Sequence, residues 1–109
     1  MKLSLRLFLG IAFVTATAIL VAAHPAFAAT RTWDGGGATN NWSECANWDG
    51  PDICPGTADV ATFSATSTKN ATIDAGFTTG VTTFNINAGY TGIITQARSF
   101  TVSGVTTFA

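Results

Sequence analysis

Positive charge is scarce in this 109-residue chain, which contains only five Lys and Arg residues. After residue 28 the chain carries three basic and six acidic residues, which gives that part a formal net charge of −3. The basic residues are scattered rather than clustered. Proteins that bind nucleic acids neutralise phosphates with clusters of Lys and Arg. The sequence therefore argues against nucleic acid as a partner.

The N-terminal segment has the organisation of a secretory signal peptide. Two basic residues precede an apolar run over residues 7–23, and an Ala-Phe-Ala end follows at Ala28. This order is typical of cleaved export signals. We predict a helical signal peptide over residues 1–28, with cleavage between Ala28 and Ala29. A single membrane anchor is the alternative, because the run is nearly long enough to span a bilayer.

Export gives an expected location. The protein would pass through the periplasm and end outside the cell or on its surface, with membrane contact only during export.

Histidine is nearly absent as well. His24 is the only one, and it would be removed with the signal peptide. A Ser-His-Asp triad and a His-based metal site both require an imidazole. Glu44 is the only Glu, with no second carboxylate placed beside it for a glycosidase pair. We therefore predict no catalytic residue, no metal site and no cofactor, and hence no enzyme activity, within these residues.

Cysteine occurs only twice, as Cys45 and Cys54. A zinc or redox site would need more ligands or a C-x-x-C spacing, and the sequence has neither. Two nearby cysteines in an exported chain are expected to pair. We predict a Cys45–Cys54 disulfide, which would stabilise the fold by about 2.5–3 kcal/mol through lost loop entropy.

No helical periodicity is found after residue 28, and short alternating runs take its place. In VTTFNIN, Phe84 and Ile86 share one face, and in SFTVS, Phe100 and Val102 do the same. Period-2 runs of this length between Gly and Asn turns are typical of β-strands. The predicted fold class is all-β.

The strand-rich region also repeats itself. GVTTF at positions 80–84 returns at positions 104–108. An offset in the twenties is about one coil of a β-solenoid. Outward Thr residues suit parallel strands stacked about 4.8 Å apart.

We therefore predict a Thr/Gly-rich, right-handed parallel β-solenoid over residues 59–109, whose repeats stack on one another. A small antiparallel β-sandwich is the alternative. Because a solenoid needs several repeats and caps, we expect the chain to be a truncated N-terminal piece.

All three tryptophans lie in TWDGGGATNNWSECANWDGPDIC, residues 32–54, among Gly, Asn and Asp turn residues. The open end of a solenoid needs an apolar cover, so we predict a Trp-rich cap over residues 29–58, pinned by the disulfide. The alternative is a carbohydrate site, in which exposed indole faces stack on sugar rings. Its candidate residues are Trp42 and Trp48 as the platform, with Asn41, Asn47 and Asp49 as hydrogen-bonding partners.

The stretch TWDGGGATNNWSECANWDG resembles a recurrent segment of bacterial autotransporter-type and adhesin-like surface proteins. There, W-D-G-G-G, N-N-W-S and A-N-W precede a P-x-x-x-D-x-A-x-F strand, matched here by Pro55, Asp59, Ala61 and Phe63. The resemblance covers about residues 32–63. It implies a secreted or surface-exposed parallel β-helix with a structural or adhesive role.

The expected partners are surface glycans or the surface of a host or neighbouring cell. Two other functions stay open, a carbohydrate-binding module and the N-terminal part of a β-helix polysaccharide-active enzyme.

Overall fold

The structure, a computed structural model, describes residues 27–109. The predicted signal-peptide helix lies almost wholly outside these residues. Within the described part of the chain, no helix is long and apolar enough to cross a membrane.

The predicted all-β class is confirmed, because strands dominate the regular structure of residues 27–109. The strands are β1 (Thr30–Thr32), β2 (Val60–Phe63), β3 (Ala71–Ile73), β4 (Thr83–Ile86), β5 (Ile94–Gln96) and β6 (Thr106–Phe108). Across the described residues, helical structure is limited to a 3-10 turn, Cys45–Asn47, and a short helix α1, Asp49–Asp52.

The strands form two parallel sheets, one in the order β1-β2-β4-β6 and the other made of β3 and β5. From β2 to β6 the chain alternates between the two sheets. Each strand therefore returns to its own sheet pointing in the same direction as the previous one. The antiparallel sandwich is wrong, since every pair of named strands is parallel. The isolated bridge between Trp33 and Trp48 is antiparallel.

The register differs from the sequence repeat. The recurrence of GVTTF aligns Phe84 with Phe108, whereas the sheet pairs Phe84 with Thr106 and Ile86 with Phe108. A shift of this size preserves the face of every side chain, because strand side chains alternate with period two. Phe84 and Phe108 consequently meet on a diagonal, with ring centroids 6.3 Å apart.

Buried apolar side chains are concentrated around the three tryptophans and become fewer toward β6. The fully or nearly buried apolar side chains of the core are Trp33, Trp42, Trp48, Ala61, Phe63, Ala71, Ile73, Phe77, Val81 and Phe84. All three residues of β6 are exposed. Val105 and Phe108 keep 63% and 70% of their surface open.

Candidate functional site

Residues 32–54 are called here the Trp-rich loop. Its three indoles pack around one phenylalanine, Phe63, at the end of β2. Trp33 and Trp42 each stack on Phe63, with centroid distances of 5.6 Å and 5.5 Å. Trp48 stands nearly perpendicular to both indoles, 5.3 Å from each. Offset-stacked and edge-to-face contacts are the favourable arrangements of aromatic rings. The cluster therefore fixes the loop onto the sheet.

The main chain attaches the same loop to both sheets. The Trp33 amide donates to the Thr62 carbonyl of β2 at 2.9 Å, and the Trp42 amide donates to the Thr72 carbonyl of β3 at 2.9 Å. In return, the Thr72 amide donates to the Asn40 carbonyl at 2.7 Å. The loop therefore lies in register with the strands although its own conformation is irregular.

The exposed Trp platform expected of a carbohydrate site is not present. Trp42 and Trp48 are both 0% exposed, so neither indole face is open to a sugar ring. Burying an indole removes roughly 150–250 Å² of surface from water, which favours a core position. The Trp48 Nε1 group donates to the Trp42 carbonyl at 3.0 Å, while Trp42 Nε1 has no hydrogen-bond partner among the described residues.

Asn47, another candidate sugar contact, is fully buried and forms hydrogen bonds within the Trp-rich loop instead. Its Nδ2 donates to the carbonyls of Thr39 and Asn41, each at 3.0 Å. Its Oδ1 accepts from the Gly37 amide at 3.0 Å and from Lys69 Nζ at 3.1 Å. An amide side chain offers two donors and two lone pairs, so this one is fully satisfied inside the protein.

Lys69 completes the network from a distant part of the chain. Its ammonium group donates to the carbonyls of Gly35 and Gly37, at 3.1 Å and 2.6 Å, as well as to Asn47. All three of its donors are used. No local signal in the sequence predicts these contacts, because Lys69 lies 34, 32 and 22 residues along the chain from Gly35, Gly37 and Asn47.

Glu44 binds the loop backbone at Ala38 and Thr39. Its carboxylate accepts from the hydroxyl of Thr39 and from the amides of Ala38 and Thr39, at 2.8 Å and 2.6 Å. These bonds, led by that of the Thr39 hydroxyl, lower the pKa of Glu44. Glu44 therefore acts as a charged anchor for the loop backbone.

The last two carbohydrate candidates also contact the protein itself. Asn41 is half-buried and forms a parallel bridge with Thr72. Asp49 is half-buried, and its Oδ1 accepts from the Thr32 amide at 2.6 Å, which joins α1 to β1.

All three glycines of the W-D-G-G-G motif lie at close approaches, and a Cβ added at Gly36 would lie 2.9 Å from the Ala46 carbonyl oxygen. A Cβ added at Gly37 would lie 2.6 Å from Glu44 Cδ, and one at Gly35 would lie 2.8 Å from Lys69 Cδ. Gly35 also has a φ of +70°, which disfavours other residues. The glycines let the backbone reach the charged side chains that anchor it.

The predicted disulfide is confirmed. Cys45 and Cys54 are bonded, with their Cα atoms 4.5 Å apart, and the bond links the 3-10 turn to the segment before β2. A disulfide of this kind indicates a non-reducing, extracellular environment.

A cleft borders the aromatic core, because Phe100, one of its lining residues, has its ring centroid 5.4 Å from that of Trp42. The cleft has a volume of about 600 Å³, and its other lining residues include Thr57, Thr79 and Arg98. The Arg98 guanidinium already donates to the carbonyls of Ser99 and Ala75, each at 3.2 Å. Within residues 27–109, no three His, Cys, Asp or Glu side chains are grouped closely enough to hold a metal ion.

Comparison of the chain with known protein families, curated proteins and solved structures gives no match.

Proposed function

We propose that this chain forms the N-terminal end of a parallel β-solenoid in a secreted or cell-surface protein with a structural or adhesive role. The observation that carries the proposal is the spacing of the strand partners. Val60 pairs with Thr83 in one sheet and Ala71 pairs with Ile94 in the other, and the two separations along the chain are identical. Equal spacing in two parallel sheets is typical of stacked coils.

Hydrogen bonds outside the strands repeat this spacing. The Ile93 amide donates to Asn70 Oδ1, and Arg98 donates to the Ala75 carbonyl, each across a separation of 23 residues. The turns on both sides of β3 and β5 therefore follow the same period as the strands, as stacked coils require.

The first coil, residues 30–59, spans 30 residues between strand partners, compared with 23 in the next coil. This extra length supports a capping role for the Trp-rich loop. The Ala29 amide bonds to Asp59 and the Ser43 amide bonds to Asp74, across separations of 30 and 31 residues. The extra residues hold the indole cluster, which fills the first coil with large apolar side chains. Apolar cover at a solenoid end limits edge-to-edge association of its strands.

Polar side chains form regular rows across the coils. In one sheet Thr32, Thr62, Asn85 and Thr107 are successive partners. In the other, Asn41, Thr72 and Thr95 follow one another. Thr95 and Thr107 are exposed. Thr62 is buried, but the other members of the two rows are exposed or half-buried. Hydroxyl and amide groups repeated at the strand spacing of about 4.8 Å suit contact with a hydroxyl-rich glycan surface.

Exposed apolar residues after β4 support a solenoid with more coils. Ile93, Val105 and Phe108 are 66%, 63% and 70% exposed. A further parallel coil would bury these side chains, as Phe84 of β4 packs against Phe63 of β2. Such burial contributes about 25 cal/mol per Å² of apolar surface.

Export and surface binding can be tested in one experiment. The chain is expressed with its own leader, cells are fractionated, and the exported chain is applied to immobilised cell-surface glycans. We compare it with two variants of equal added charge. The ladder variant, Thr95→Lys with Thr107→Lys, changes the exposed members of the polar rows, and the turn variant, Ala88→Lys with Thr91→Lys, changes exposed residues between β4 and β5. We expect the chain outside the cell and a loss of binding only in the ladder variant. Retention in the cytoplasm, or equal loss in both variants, would contradict the proposal.

A further inference from the structure

We propose that removal of the leader creates an α-ammonium group at Ala29 and that the Asp59 carboxylate binds this group. Processing would then complete the first coil. The inference rests on the export step of the proposed function and on cleavage between Ala28 and Ala29. It does not depend on an adhesive role.

Pairing of the first strand begins at the residue predicted to start the mature chain. The Val60 amide donates to the Ala29 carbonyl at 2.8 Å, and Thr30 is the register partner of Val60. The two residues before Ala29 are exposed, and Phe27 keeps 85% of its surface open. The predicted cleavage site and the start of the strand ladder therefore coincide at one residue, Ala29.

Asp59 already holds the nitrogen atom that cleavage would make cationic. Its Oδ1 accepts from the Ala29 nitrogen at 3.0 Å. Its Oδ2 accepts from the Gly56 amide at 2.8 Å and lies 3.9 Å from Arg31 Nε. The Asp59 side chain is only 15% exposed, so the contact is shielded from bulk water.

The main chain of Asp59 extends the connection to the next coil. Its carbonyl accepts from the Thr82 amide at 2.9 Å, and its own amide donates to the Gly56 carbonyl at 3.0 Å. Asp59 thus joins the beginning of the mature chain, the turn before β2 and the segment that enters β4. A stronger hydrogen bond between Ala29 and Asp59 would therefore stabilise the position of all three segments.

Cleavage changes the chemistry of the contact with little change in its geometry. Hydrolysis of the Ala28–Ala29 bond consumes one water, leaves Ala28 as a carboxylate on the leader and leaves Ala29 as a protonated amine. A neutral amide with one hydrogen becomes an ammonium with three. Hydrogen bonds between ionised partners are shorter and roughly twice as strong as neutral ones.

The test compares two exported forms of the full chain. In one, a single Gly is inserted between Ala28 and Ala29, which moves the ammonium one residue away and restores a neutral amide at Ala29. Each form is made with Asp59, with Asp59→Asn, and with Asp52→Asn as a control that removes an exposed carboxylate. Mass spectrometry first identifies the N-terminal residue of each form.

We expect the insertion to lower the melting temperature by about 4 °C with Asp59 and with Asp52→Asn, but by about 1 °C or less with Asp59→Asn. Acylation of the Ala29 amine should also be faster in Asp59→Asn. An exported chain that begins at another residue, or an insertion cost that is independent of Asp59, would overturn the proposal. A failure of glycan binding alone would affect only the adhesive role.

Discussion

The Trp-rich loop and strand β6 show two different ways of holding a chain in place. The loop has little regular structure, yet Trp33, Trp42 and Trp48 are fully buried and a network of side-chain hydrogen bonds fixes its backbone. Strand β6 is regular, but all three of its residues are exposed. Regular secondary structure is therefore a poor guide to how tightly a region of this protein is held.

The difference has a physical origin in the types of residue. Gly and Asn allow sharp turns and supply side-chain hydrogen bonds, so the loop can place three large rings around Phe63. Strand β6 is held to the protein mainly by its hydrogen bonds to β4 and by the diagonal contact between Phe84 and Phe108. We therefore expect substitutions in the loop to cost more than substitutions of similar size in β6.

The largest expected effect comes from removing an indole. Trp48→Ala should lower the free energy of unfolding by about 3–5 kcal/mol, because it opens a cavity in the aromatic cluster and removes the hydrogen bond to Trp42. Phe108→Ala is the matched control, with an expected loss of about 1 kcal/mol or less, since its ring is mostly exposed. Urea denaturation measures both. Equal losses would remove the proposed distinction between the two regions.

The next effect comes from the disulfide of the loop. The double variant Cys45→Ala with Cys54→Ala should lose about 2.5–3 kcal/mol of unfolding free energy, because the unfolded chain gains loop entropy. A reducing agent should destabilise the native chain by a similar amount and leave the double variant unchanged. An unaltered denaturation midpoint in the double variant would show that the aromatic cluster alone holds the loop.

The smallest effect is the pH dependence of the loop anchor. The pKa of Glu44 lies below its ordinary value of 4.5, chiefly because of the Thr39 hydroxyl and the Ala38 amide. The stabilising contribution is therefore fully present above pH 4.5 and is lost as the pH falls through the lowered pKa. Asp74 adds to this trend: burial alone would raise its pKa, but hydrogen bonds from Ser43, from the Gly76 amide and from its own backbone together lower it.

Glu44→Gln should flatten the fall in melting temperature below pH 4.5. Asp52→Asn, which changes an exposed carboxylate of the same loop, serves as its control. A profile that is unchanged in Glu44→Gln would show that the carboxylate does not anchor the loop.

Much of the fold could be predicted from particular residues. Alternation in VTTFNIN predicted strand β4, and the pairing of two nearby cysteines predicted the disulfide. The recurrence of GVTTF indicated a repeat in the twenties, but it aligned Phe84 with Phe108 where the sheet pairs Phe84 with Thr106. A sequence repeat cannot distinguish registers that differ by one period of the strand, because both place the same side chains on the same face.

The site was less predictable. The sequence left the indoles as either an exposed platform or a buried cover, and burial in the structure distinguishes the two. The roles of Asn47 and Lys69 depend on a contact between segments 22 residues apart. No local pattern of charge or spacing predicts such a contact.

The sequence by itself determined the strand content, the disulfide partners and the concentration of all three tryptophans in residues 32–54. These follow from local alternation, from the presence of only two cysteines and from composition. Tertiary structure decided the parallel order of the strands, the register of each pair and the burial of all three indoles. It also brought Lys69 into the glycine turn and the Ala29 nitrogen to Asp59. These features arise only when distant segments pack together, because burial and long-range hydrogen bonds have no counterpart in local sequence.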